Sequence, residues 1–114
     1  MSLISQFNKT LMEFLTDLLE TFPEHKGIER QKIKFEVGVR ANCRLAIDKV
    51  VPELIKYSNS IISKDVTAIY NVNGAFSEID FVELWDSDIS DNTKNIIWKY
   101  LHTLLCLGTQ IISS

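Results

Sequence analysis

The sequence predicts an all-α fold: a single compact bundle of four to six helices, with long first and last helices and a kinked middle helix. Three observations carry this. Apolar residues recur at three- and four-residue spacing near both ends of the chain. The run 41–62 keeps that period across a proline. The one alternating stretch, 33–39, has no obvious partner strand, and an isolated strand cannot satisfy its backbone groups. The 114 residues, 46% hydrophobic and 24% charged, form one helical domain spanning 1–114. That balance excludes a disordered chain, a collagen-like chain and a disulfide scaffold.

In the first segment Ile4, Phe7, Leu11, Phe14, Leu15, Leu18 and Phe22 share one helical face, with Gln6, Asn8, Lys9, Glu13, Asp17 and Glu20 opposite. This is an amphipathic helix of about 20 residues whose aromatics read as core. Pro23 ends it by forcing the preceding residue out of helical conformation. Residues 24–27 connect to the ambiguous stretch, where Ile33, Phe35, Val37 and Val39 alternate with polar residues and Gly38. A strand stays open there, and a helix over 28–39 is favoured.

Helical spacing returns over 41–62, carried by Leu45, Ile47, Val50, Val51, Leu54, Ile55, Ile61 and Ile62. Pro52 removes a backbone donor and crowds the Asp48 carbonyl, so either one helix kinks there or two helices meet with Pro52 in the first turn of the second, and the apolar spacing carried across it favours the kink. Ser63-Lys64-Asp65 marks a break, and 66–70 fits one short turn of helix. Asn71-Val72-Asn73-Gly74 is turn chemistry tolerant of positive φ. Ser77 is the expected cap of a short helix carrying Phe81, Val82, Leu84 and Trp85. After a polar loop, Ser90, Asp91 and Asn92 are competent caps for the last helix. That helix is apolar on nearly every side, with a narrow stripe of Asn95, Lys99, His102, Cys106, Thr109 and Ser113. Such a helix lies at the centre of a bundle or meets a partner.

Charge is split along the chain although the net is only -3. Segment 26–49 holds seven basic residues against three acidic, and 78–91 holds six acidic and no basic residue. Two solvated faces that attract each other, or a docking surface, would both produce this pattern. Lys32, Lys34, Arg40 and Arg44 are the candidate nucleic-acid contacts, with Phe35 the lone aromatic available for stacking.

Parts for catalysis are missing. Cys43 and Cys106 lie far apart and are expected as buried free thiols. His25 and His102 fall in different segments, without the local spacing of a structural zinc site, so no metal is expected. The acidic run lacks calcium-loop spacing. The four glycines are isolated, so neither phosphate-cradling motif is present and no cofactor is expected. His102 and Cys106 stand four apart on one helix face, but leucines around the thiol would raise its pKa and leave it inert. No catalytic residue is assigned, and the chain is expected not to be an enzyme. No signal peptide and no run of eighteen apolar residues is present, so neither secretion nor a membrane span is expected.

Leu84-Trp85 followed by Lys94-Asn95-Ile96-Ile97-Trp98-Lys99-Tyr100-Leu101, together with Val51-Pro52, Ile61 and Lys64-Asp65, resembles a family of small uncharacterised helical proteins of the nucleocytoplasmic large DNA (giant) viruses. There a Leu-Trp pair and a loop precede Lys-x-x-Ile-Trp-x-Tyr-Leu. The likeness spans about three-quarters of the chain, residues 14–107, and departs from the pattern at 66–70, where Tyr70 alone stands for two aromatics. It implies a viral protein located in the host-cell cytoplasm or in the virion, and it carries no catalytic residues.

The expected function is therefore a non-enzymatic helical interaction or structural module, with a protein partner or a second copy of itself. Trp85, Trp98 and Tyr100 are the candidate partner contacts, because aromatics dominate binding hot spots. The alternative is a weak nucleic-acid-associated factor using 26–49.

Overall fold

A computed structural model describes residues 2–113. Among them there is no strand. Helix α1 spans Leu3–Thr21, α2 Lys26–Ala41, α3 Leu45–Lys56, α4 Ser58–Ile62, α5 Val66–Asn71, α6 Phe81–Asp86 and α7 Asp91–Ser113, with a single 3-10 turn at Val72–Gly74. The all-α architecture with long terminal helices is as expected. The number of α-helices among the described residues reaches seven because the 41–62 run divides into α3 and α4.

Local chemistry explains most boundaries. Ser2 Oγ accepts the Ser5 N–H at the start of α1, Asp65 caps α5 through the Thr67 N–H, and Ser90 caps α7 through the Thr93 N–H. These bonds satisfy amides that have no partner within the helix. Asp80 caps α6 through the Glu83 N–H, correcting the expected Ser77, which lies too far upstream once 75–80 takes its own path. Lys64 adopts φ 57°, the left-handed conformation that ends α4 at the expected break. No described glycine has positive φ, so the turn at 71–74 is made by 3-10 winding and not by the mirror-image conformations that Asn and Gly permit.

The alternating stretch is helical. In α2 Phe35 points to the core while Ile33 and Val37 are exposed. Asn42 interrupts the chain before α3, its side chain accepting the Arg44 N–H. Pro52 sits inside α3 without ending it. The buried residues Ala46, Ile47, Val50, Val51 and Leu54 continue past it, so packing holds the helix across the missing backbone bond. The boundary falls at Tyr57 instead.

Helix α7 lies against α1, α3 and α4. It buries Ile97, Trp98, Leu101, Leu104, Leu105, Gly108 and Ile111 on one face. A Cβ on Gly108 would stand 2.7 Å from a Val51 methyl, so the absent side chain lets α3 approach α7 closely. Residues 75–80 are irregular yet anchored. Phe76 is fully buried, edge-on to Phe14 of α1 at 6.0 Å, Phe35 of α2 at 6.2 Å and Phe81 of α6 at 5.4 Å.

Two residues further on, α2 grips the backbone and side chain of Glu78. Its N–H donates to the buried Gln31 Oε1 at 2.9 Å. Its carboxylate pairs with Arg30 at 3.2 Å and with Lys34. The Lys34 and Arg30 hydrogen bonds hold that carboxyl below its usual pKa. A Cβ on Gly27 would stand 1.9 Å from the Glu78 carbonyl oxygen, which is backbone and cannot swing aside. Gly27→Ala should therefore force α2 away from 75–80 and cost about 1–3 kcal/mol, the range for overpacking a well-filled interior. The urea midpoint measures it, with an unshifted midpoint counting against the close fit.

Candidate functional site

The four basic candidates do not form one surface free for phosphates. Lys34 is engaged by Glu78, and Lys32 lies 3.7 Å from Glu36 one helical turn on. Arg40 and Arg44 are exposed at the end of α2 and the entry to α3, with no ion-pair partner among the described residues. Phe35 is buried and unavailable for stacking. The opposite charges of the two segments thus meet at one point, Glu78, where they tie a loop to a helix.

The aromatic candidates divide. Trp98 is only 5% exposed and sits edge-on to Trp85 at 5.4 Å. It is core, so its candidacy as a contact is corrected: the apolar stripe that suggested a sticky helix is consumed by packing on its neighbours. Trp85 is half-buried, and the Lys94 ammonium lies over its ring at 5.3 Å. Tyr100 is half-buried, stacked on Phe14 at 5.1 Å, and its hydroxyl donates to Asp17. Burial, then that hydrogen bond and the negative charges of Asp17 and Glu13, push the Tyr100 hydroxyl up to about 12. Its proton is held more tightly folded than unfolded, so this contribution to stability is complete below about pH 10 and lost as pH rises toward 12. Tyr100→Phe should flatten the alkaline fall in stability over that window, and an ultraviolet titration should lose its last-ionising tyrosine.

An open surface also lies along another face of α7. A groove of about 560 Å³ runs between α3, α4 and α7, lined by Ile55, Ser58, Ile62, His102, Leu105 and Cys106 and continuing along Thr109, Gln110 and Ser113. Ile55 and Ile62 are 40% and 63% exposed. The sequence pattern assigns both to the apolar face of one long helix. In the structure both are exposed, Ile55 in the last turn of α3 and Ile62 at the end of α4, with Tyr57 separating the two helices. Cys43 and Cys106 are both exposed, which corrects the expectation of buried thiols. Cys106 lies on the polar stripe of α7, where its side chain reaches solvent, while Leu104 and Leu105 are buried beside it. His102 Nε2 is 3.9 Å from Cys106 Sγ, and both residues line the groove.

The spacing of His102 and Cys106 was the signal available in the sequence for this site. The outward turn of Ile55 and Ile62 left none. Among the described residues no group of three or more His, Cys, Asp or Glu side chains is placed to hold a metal ion, and no helix is long and apolar enough to cross a membrane. No family model, curated protein or solved structure matches this chain.

Trp98→Ala separates core from contact. With the ring buried and packed edge-on against Trp85 of α6, the truncation should cost about 3–5 kcal/mol of folding stability. A variant that unfolds at the parent's denaturant concentration would return Trp98 to the surface.

Proposed function

We propose that this chain is a non-enzymatic helical interaction module that pairs with a second copy of itself through the groove between α3, α4 and α7. The observation that carries the reading is the pair of outward isoleucines, Ile55 and Ile62, on the walls of that groove. Apolar side chains grouped along a concave surface gain by being removed from water, at about 25 cal/mol per Å². In a two-fold contact each copy's isoleucines cover the other's, so one surface patch serves as both donor and acceptor of the contact. A viral origin, in the cytoplasm of the host cell or in the virion, belongs to the same reading. It is supported by the likeness of Leu84-Trp85 and 94–101 to the giant-virus family.

Light scattering in reducing, chelated buffer tests the pairing. The mass should rise from 13.1 kDa toward twice that value as concentration increases. Ile62→Lys, at an exposed position, should keep its helical circular dichroism and stay at the single-chain mass. A parent chain that remains monomeric at every concentration would overturn the pairing through apolar contact.

A further inference from the structure

His102 and Cys106 present two metal-binding atoms side by side on an exposed helix face. Residues four apart on a helix lie one above the other, and here Nε2 and Sγ are 3.9 Å apart. With Zn–N of about 2.0–2.1 Å and Zn–S of about 2.3 Å, a nitrogen and a sulfur on one tetrahedral zinc are about 3.5 Å apart. Rotation of two solvent-exposed side chains closes that difference. No third His, Cys, Asp or Glu joins them among the described residues, so each chain supplies two ligands where a closed site takes four.

We propose that His102 and Cys106 are half of a two-nitrogen, two-sulfur site for zinc or a similar thiophilic divalent cation, completed by the same pair from a second copy across a two-fold axis. This rests on the pairing of two copies put forward above. The groove makes the approach possible: the pair lines it together with Ile55 and Ile62, so the contact that would bury the isoleucines would also bring the two half-sites together. On binding, each thiol gives its proton to solvent and each imidazole coordinates as the neutral ring. Two thiolates then cancel the charge of the ion. A neutral centre is not repelled by Lys64 and Lys99, which share the adjoining cleft with His102.

The test uses the full chain, reduced with a phosphine, and the metals alone as probes. Cobalt(II) should give a thiolate-to-metal charge-transfer band and the intense visible bands of a tetrahedral sulfur-nitrogen set, saturating at half an equivalent per chain. Zinc should displace it and lower the concentration for dimer formation at least tenfold, with chelator reversing both effects. Cys106→Ser and His102→Ala should lose the bands while keeping their helical circular dichroism, and Cys43→Ser, which removes the other exposed thiol, should retain them. Absence of the charge-transfer band, its loss in Cys43→Ser, or saturation at one equivalent per chain without a change in mass would each overturn the site. A metal-free dimer that Ile62→Lys breaks, with no cobalt band, removes the metal site and leaves the apolar pairing. A zinc-dependent dimer with none in chelator does the reverse.

Discussion

Residues 75–80 are the constraint on which the arrangement of helices depends. They have no regular structure, yet Ala75, Phe76 and Ile79 are buried. Phe76 is the one ring that touches aromatics from α1, α2 and α6. An irregular segment enters a core only if its backbone polar groups find partners. Gln31 supplies one for the Glu78 amide, and the bare backbone of Gly27 lets the segment lie directly against α2. The Arg30 and Lys34 contacts with Glu78 add a charged clasp outside. Its exposure to solvent makes it a weaker constraint than the buried ring and amide.

From this follows the division of the surface. With α2 fixed over the 75–80 segment, its basic residues are partly spent on internal pairing, and the positive stretch apparent in the sequence is broken up. On the far side, α7 is wedged between α1 and α3, and Gly108 allows α3 to come close. Tyr57, at φ -110° and ψ 25°, separates α3 from α4, and the groove lies between these two helices and α7. His102 and Cys106 acquire their setting from the residues of α3 and α4 that line the groove with them.

The aromatic residues show how similar side chains part company. Trp98 and Tyr100 are two positions apart on α7, so one faces Trp85 in the interior and the other edges toward Asp17 at the surface. A tryptophan or tyrosine in an apolar helix marks a place where much area is buried. Whether the buried surface belongs to the chain's own core or to a partner depends on what the neighbouring helices already cover.

The sequence by itself determined the helices. The three- and four-residue spacing in α1 and α7, the stop at Pro23, the cap at Ser90 and the break at Lys64 are legible because each depends on neighbours within one or two turns. The helical state of 26–41 was legible only by elimination, since its alternation imitates a strand. Tertiary structure alone decided which apolar residues lie outside. Ile33, Val37, Ile55 and Ile62 carry the same local signal as buried residues, and no neighbour in sequence marks them as exposed. It also decided that Phe76 plugs the core from an irregular segment, that Glu78 answers Arg30 and Lys34 across more than forty residues, and that Cys106 faces solvent. Helix formation is governed by short-range backbone bonding and spacing. The facing of a side chain is set by how helices distant in sequence share the removal of apolar surface from water.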